Sequence, residues 1–357
     1  GFTIAETAGS TGVDESGNTD TFSIVLNAQP ATDVVLSISS SDTGEATVTS
    51  SLTFTSANWD TAQTVTVTGV DDDLIDGTIS STITVTVNDG SSDDNFDGVA
   101  DQTVSVTTAD DDVAGFTIAE TNASTGVDES GNTDTFTVVL NAQPTTDVVL
   151  SISSSDTGEA TATSSLTFTT ANWNSPKTVT ITGVDDDIID GTQNSTITVS
   201  IIDGISDDAF DSVADQTVSV TTADDDVAGF TVTETEGSTG VSESGSTDLF
   251  AIVLNTQPSS DVVLSITSSD TGEATVDSLI QFTTANWDTP QNVTVTGVDD
   301  GIIDDTQTST ITITVVDAIT DDDFDGVADQ TVSVTTADDD VAGFTIAETN
   351  GSTGVDE

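Results

Sequence analysis

Thr82-Ile83-Thr84-Val85-Thr86-Val87 alternates a hydroxyl with a β-branched apolar side chain over six residues. Side chains of a strand point to opposite faces with a period of two, so Ile83, Val85 and Val87 share one face and the threonines the other. β-Branched side chains have few rotamers and fit a pleated, half-buried surface, which favours strand over helix. Thr64-Val65-Thr66-Val67-Thr68 and Thr103-Val104-Ser105-Val106-Thr107 repeat the pattern before and after it.

Working outward, further short runs of the same kind lie between turn-forming Gly, Asn, Asp and Ser: Phe2–Ile4, Thr21–Leu26, Asp33–Ser39 and a broken Thr47–Phe54. Helical periodicity is absent. Together these are seven short antiparallel strands in about 114 residues, the pattern of an all-β, two-sheet sandwich of immunoglobulin type.

The unit is then copied. Gly1-Phe2-Thr3-Ile4-Ala5-Glu6-Thr7 returns at Gly115, returns at Gly229 as Gly-Phe-Thr-Val-Thr-Glu-Thr, and begins again at Gly343, always 114 residues on. A fixed period means one folded unit in tandem, and 114 residues is the size of an independent domain rather than of a solenoid repeat. The expected domains are sandwiches at 1–114, 115–228 and 229–342, with 343–357 opening a fourth copy. The chain starts at Gly1 without a Met, so it is expected to be a window on a longer protein with its targeting signals elsewhere.

Composition excludes several classes. There are 64 Asp plus Glu against one base, Lys177, with no Arg or His. Phosphate contacts need Lys or Arg, so nucleic acid is excluded as a partner, and an anionic membrane surface with it. Disorder is excluded by the regular alternation of the 34% apolar residues. No apolar run reaches the ~18 residues of a membrane span. Cysteine is absent, so disulfides and thiolate metal sites are too, and a domain of this kind takes another staple, usually a metal ion. Each copy has one Trp (Trp59, Trp173, Trp287), read as a core or edge plug in preference to a sugar-stacking platform.

The acids are not spread evenly. In an antiparallel seven-strand unit, successive loops alternate between two poles. The first, third and fifth loops, with the end of the last strand, share one pole. They carry Glu15; Asp42 and Glu45; Asp71, Asp72, Asp73 and Asp76; and Asp110-Asp111-Asp112. Two carboxylates ~5 Å apart at an effective dielectric of ~20 repel by roughly 3 kcal/mol, so several such pairs rival the ~5–15 kcal/mol that holds a domain together. Copy one has no Lys or Arg to neutralise them, so multivalent cations must. All-oxygen ligands select Ca²⁺; zinc or copper would want His or Cys.

The sixth loop lies at the opposite pole. There Asp93-Asp94-Asn95-Phe96-Asp97-Gly98 fits the front half of a calcium loop, but the twelfth position is Val104 in place of Glu. Copy three keeps the pattern at Asp321–Gly326, and copy two breaks it with Ala209 and Ser212. Metal binding and a merely solvated acidic loop both remain open here.

Val13-Asp14-Glu15-Ser16-Gly17, Phe22-Ser23-Ile24-Val25-Leu26, Gly69-Val70-Asp71-Asp72-Asp73-Leu74-Ile75-Asp76 and the closing Asp110-Asp111-Asp112 resemble the Calx-beta domain. That module is an immunoglobulin-like sandwich of sodium–calcium exchangers, integrins and very large bacterial surface proteins. The stretch from Leu52-Thr53-Phe54 through Asn58-Trp59 to Val67 is similar to its bacterial repeat members. The resemblance implies calcium held by Glu15, Asp42, Asp71, Asp72, Asp76, Asp110, Asp111 and Asp112 in copy one. In copy two it implies Glu129, Asp156, Asp185, Asp186, Asp190, Asp224, Asp225 and Asp226. In copy three it implies Glu243, Asp270, Asp299, Asp300, Asp304, Asp338, Asp339 and Asp340, with Gly301 replacing the third aspartate of the fifth loop.

Only Val113 and Ala114 separate the terminal Asp triplet from Gly115, too short and apolar a link for a flexible coil. The triplet is therefore expected to face the sixth loop of the next copy, Asp203 to Asp215, across a cation-rich junction that calcium stiffens. The expected function is structural: a calcium-stabilised stalk or filament, the extender of a bacterial adhesin or surface fibre, extracellular, whose partners are its own neighbouring repeats, with self-association into fibres. The alternative is a binding module gripping glycan or a partner protein through the sandwich surface. Catalysis is not expected, since no His, Cys, Tyr or Arg accompanies the acids and the pattern recurs in every copy.

Overall fold

The structure is a computed structural model and describes residues 1–347 and Gly351. Its backbone divides into two compact units. The first holds Gly1–Thr125, Thr133–Thr182 and Ser195–Val220; the second holds Gly126–Asn132, Gly183–Asn194 and the chain from Thr221 onward. Among the described residues the helical segments are three-residue 3₁₀ turns, and no helix is long and apolar enough to cross a membrane.

The first unit contains nine strands of the first copy. They are β1 (Phe2–Glu6), β2 (Thr11–Asp14), β3 (Thr19–Leu26), β4 (Val34–Ser40), β5 (Ala46–Val48), β6 (Ser51–Phe54), β7 (Gln63–Gly69), β8 (Ile79–Val87) and β9 (Gln102–Ala109). One sheet runs β1-β3-β7-β5 and the other β2-β9-β8-β4-β6. Nine replace the seven expected because the first and fourth strands each change sheet midway. The first does so through a left-handed step at Ala8 (φ 59°) and Gly9 (φ 85°), after which β2 runs parallel to β9 with Thr11 opposite Val106. The other pairings are antiparallel, Phe22 opposite Val65, Leu36 opposite Val87 and Ile83 opposite Val104.

The alternation read in the sequence is the burial pattern. Phe22, Ile24, Leu36, Phe54, Val65, Val67, Ile83, Val85 and Val106 are buried between the two sheets, while the threonines between them face out. Trp59 packs partly buried against this core, and its carbonyl accepts the Leu26 N–H at 3.1 Å, consistent with a plug. The second unit contains the strands of the third copy from Phe230–Glu234 to Gln330–Ala337, in a four-stranded and a five-stranded sheet with the same order. Every strand between Phe116 and Ala337 begins 114 residues after its counterpart.

In the first unit the fifth loop of copy one meets copy two. Leu74 forms a parallel bridge with Gln143, whose N–H donates to the Asp73 carbonyl at 2.6 Å and whose carbonyl accepts the Ile75 N–H at 3.2 Å. In the second unit Ile188 bridges Gln257, whose N–H donates to the Asp187 carbonyl at 2.7 Å. Of the expected fourth copy, residues 343–347 form no strand, and 348–350 and 352–357 lie outside the described residues.

Candidate metal centre

The centre is built where β2 ends, β5 begins, β8 is entered and β9 leaves. Glu15 follows β2 directly, and its N–H donates to the Ala109 carbonyl at 3.1 Å, which ties the first loop to the end of β9. Asp111 returns the contact, its N–H donating to Glu15 Oε2 at 3.3 Å. The Glu15 carboxylate is thereby drawn inside, at 1% exposure, with no basic side chain beside it.

Two groups of three carboxylates share Glu15. Oxygens of Glu15, Asp110 and Asp112 lie within 4.8 Å of one another, and so do those of Glu15, Glu45 and Asp76. In the second unit Glu129, Asp224 and Asp226 form the counterpart of the first group, and Glu243, Glu273 and Asp304 that of the second. The loops are set for this by hydrogen bonds within the chain. Asp110 Oδ2 accepts the Gly77 N–H and Oδ1 the Asp112 N–H, both at 2.8 Å, fixing the fifth loop against the end of β9. Asp224 does the same with Gly191 and Asp226, and Asp338 with Asp305 and Asp340. Asp72 Oδ1 holds the Leu74 N–H at 2.8 Å, as Asp186 holds that of Ile188 and Asp300 that of Ile302.

Other oxygens have no such partner. Glu45 Oε2, Asp76 Oδ1 and Asp112 Oδ2 in copy one are buried without a hydrogen bond. So are Glu129 Oε1 and Asp226 Oδ2 in copy two, and Glu243 Oε1, Glu273 Oε2, Asp304 Oδ1 and Asp340 Oδ2 in copy three. A buried carboxylate oxygen without a donor or cation is costly, and native proteins rarely leave one so. The single side-chain cation does not help: Lys177 donates to the Thr167 carbonyl and lies over the Phe168 ring, 4.9 Å from its centre.

Proton affinities record the same strain. Burial, with the charges of Asp110, Asp72 and Glu45, pushes Glu15 up to about 7. Asp112 is pushed up to about 6 by burial and by Asp110 and Asp73; Glu129 and Asp226 repeat these values at about 7 and about 6. Burial and neighbouring aspartates also raise Glu45, Asp76, Glu243, Glu273 and Asp340. Hard carboxylate oxygens, gathered and unneutralised, fit a hard cation such as Ca²⁺.

Of the expected residues the structure brings together Glu15, Asp76, Asp110 and Asp112, and in the second unit Glu129, Asp224 and Asp226, and Glu243 and Asp304. It differs from expectation in the third loop. Asp42 is exposed and its Oδ1 caps its own turn, accepting the Gly44 N–H at 3.0 Å; Asp156 and Asp270 do likewise with Gly158 and Gly272. The inward carboxylates of that loop in copies one and three are Glu45 and Glu273, next to Ala46 and Ala274, which open their strands fully buried. The clue was the alternation itself, since extending the strand back to Ala46 makes Glu45 the last residue of the turn. Asp71, Asp185 and Asp299 are exposed, as are the middle acids of the triplets, Asp111, Asp225 and Asp339, whose N–H groups serve Glu15, Glu129 and Glu243.

The sixth loop has a different use for its acids. Asp93, first in the calcium-loop pattern, is buried, and its Oδ2 accepts the Thr32 N–H at 2.9 Å and the Ala31 N–H at 2.5 Å. Its Oδ1 takes the Asn95 N–H at 3.0 Å, capping a 3₁₀ turn. These bonds from Thr32 and Asn95, with further help from Ala31, hold its pKa down at about 2. Asp207 and Asp321 are buried caps of the same kind. In the second unit Asp226 and Asp323 line one cleft of about 350 Å³ with Ile189, Val227 and Val327, so an end-triplet acid and a sixth-loop acid do share a junction there.

No protein-family model matches the chain, and no curated protein matches it. Among solved structures, CBD12 from CALX1.2 is similar at 15% identity and a TM-score of 0.25, over 61% of this chain and 98% of that one. The calcium binding domain CBD12 of CALX1.1 is similar at 18% identity and a TM-score of 0.25, over 56% of this chain and 79% of that one. Domains 4–9 of the surface layer protein SbsC follow at 20% identity and a TM-score of 0.24, over 93% of this chain and 49% of that one. At these scores the likenesses carry no argument, and the reading of the centre rests on its own geometry.

Proposed function

We propose that the chain is a calcium-stabilised structural segment of an extracellular surface protein, made of tandem immunoglobulin-like sandwiches at 1–114, 115–228 and 229–342. The observation that carries this reading is the set of buried, unpartnered carboxylate oxygens recurring at one pole of each copy, in a chain with one basic side chain. Calcium, when bound, supplies the positive charge that these oxygens lack. In copy one Glu15 serves both groups, Asp110 and Asp112 complete one, Glu45 and Asp76 the other, and Asp72 sets the loop between them. The counterparts are Glu129, Asp224 and Asp226 in copy two, and Glu243, Glu273 and Asp304 in copy three.

The same loop supports the structural role. Asp72 and Asp76 flank Leu74 and Ile75, which hold Gln143 of the following copy. A loop fixed at the centre is a loop fixed at the junction, so cation binding stiffens the chain where copies meet. Reach and stiffness are what a stalk or fibre needs, and near-identical copies suit a role in which each adds length. Catalysis has no part in this reading.

Thermal unfolding in calcium and in chelator tests it. Removing calcium is expected to lower the melting temperature by ten degrees or more, since several unneutralised pairs rival a domain's ~5–15 kcal/mol of stability. Magnesium, which demands a tighter octahedral shell and dehydrates reluctantly, is expected to restore less. Equal melting with and without calcium rules the reading out.

A further inference from the structure

Glu120-Thr121-Asn122-Ala123-Ser124 leads out of β10 (Phe116–Glu120), the first strand of copy two. It is the acceptor pattern Asn-x-Ser with an acid two residues before the Asn. The sequence repeats the frame at Glu348-Thr349-Asn350-Gly351-Ser352, of which all but Gly351 lies outside the described residues. Asn194-Ser195-Thr196 and Asn292-Val293-Thr294 also read Asn-x-Thr, but Thr192 and Pro290 stand where the acid would be.

The fold separates these sites further. Asn194 and Asn292 lie inside the strands Gln193–Ile201 and Gln291–Gly297, and the residues after them, Ser195 and Val293, are 2% and 1% exposed. Asn292 is paired opposite Ala251, so neither segment can enter another protein's active site without disturbing its sheet. Thr121 to Ser124 are all exposed and form a three-residue turn closed by one long bond, from the Ser124 N–H to the Thr121 carbonyl at 3.5 Å. The Asn122 amide has no hydrogen-bond partner among the described residues. Nor does the backbone demand Asn there: its left-handed φ of 58° is matched by Ala8 at 59° and Glu236 at 57° in the same turn of the other copies.

We propose that Asn122 is an acceptor for an N-linked oligosaccharide. In the transfer, Asn122 Nδ2 forms a bond to the anomeric carbon of a glycan carried on a lipid pyrophosphate. The bond from that carbon to the pyrophosphate oxygen breaks, and the lipid pyrophosphate leaves with the electron pair. The amide proton passes to a carboxylate of the transferase. Ser124 offers that enzyme a hydroxyl to grip, and Glu120 a charge. The glycan would stand beside β10, an edge strand of its sheet, where a bulky solvated group blocks pairing with a strand of another chain. This modification requires export, as the proposed surface location does, but not calcium.

The test uses the folded chain with Asn350→Gln, a bacterial oligosaccharyltransferase that requires the acid, and a lipid-pyrophosphate oligosaccharide as donor. Intact mass and peptide fragmentation count and place the glycans. One glycan is expected, on Asn122, and none on Asn194 or Asn292. Glu120→Ala is expected to slow transfer at least tenfold and Glu120→Asp to restore it, with circular dichroism unchanged in both. Glu236→Asn completes the frame in copy three and is expected to add a second glycan. Transfer to Asn122 in a chain whose melting ignores calcium keeps this proposal and counts against the metal centre. No transfer to Asn122, transfer only after heat unfolding, or equal transfer to Asn194 or Asn292 overturns it.

Discussion

Glu15 is where the two carboxylate groups meet, and its proton equilibrium gives the sharpest residue-scale prediction. In the unfolded chain it titrates near 4.5; in the ion-free fold it is pushed up to about 7 by burial and by Asp110, Asp72 and Glu45. Between those values the folded chain holds a proton that the unfolded chain has released. Its contribution to stability is therefore fully present below pH 4.5 and lost as pH rises through 7. In chelator the melting temperature is expected to fall from pH 5 to pH 8, and Glu15→Gln with Glu129→Gln and Glu243→Gln to flatten that fall. In calcium the trend reverses, because protons compete for the same oxygens. A chelated chain that melts alike at pH 5 and pH 8 contradicts the gathering of these carboxylates. Asp93 has the opposite sign: held at about 2 by Thr32 and Asn95, its contribution is fully present above the ordinary 3.8 and is lost as pH falls from there through about 2.

Elements place these residues, and one close approach between elements matters more than composition suggests. Gly69 ends β7 against the end of β2, where an added Cβ would fall well inside contact distance of the Asp14 carbonyl oxygen; Gly183 and Gly297 stand in the same relation to Asp128 and Ser242. The obstacle is backbone, so Gly69→Ala must push the first loop, and Glu15 with it, off the centre. The expected cost is about 1–3 kcal/mol of stability, and at least a tenfold loss of calcium affinity in that copy. Calorimetric titration of the variant checks this; unchanged affinity with a lowered melting point would confine Gly69 to packing. The strands themselves were legible, since their alternation is written in Thr, Val and Ile, and the break in Thr47–Phe54 became β5 and β6. The split of the first strand was not. Its sheet change rests on left-handed backbone at Ala8 in copy one, Asn122 in copy two and Glu236 in copy three, and only one of these residue types favours that conformation. The pole was legible from strand parity, while the choice of Glu45 over Asp42 depended on which neighbour the buried Ala46 draws inward. The sixth loop misleads by residue type alone, because an Asp-capped 3₁₀ turn and the front of a calcium loop use the same acids.

For the whole molecule the governing quantity is a formal net charge of −63. Two kinds of repulsion contribute to it, and they respond differently to salt. Exposed acids such as Asp71, Asp111 and Asp185 face water, where a Debye length of ~8 Å at 0.15 M and ~3 Å at 1 M screens them progressively. Glu15, Glu129 and Glu243, at 1% exposure each, sit where mobile ions do not enter freely. In chelator, raising NaCl from 0.05 to 1 M is expected to lift the melting temperature and then level off below the value reached in millimolar calcium at low salt. The gap left at the plateau measures the buried groups, and it should shrink when Glu15, Glu129 and Glu243 are all replaced by Gln, because the charge being neutralised has then been removed. If 1 M NaCl alone matches calcium, the carboxylates behave as ordinary surface charge, and the Leu74–Gln143 bridge joins the copies without help from a cation.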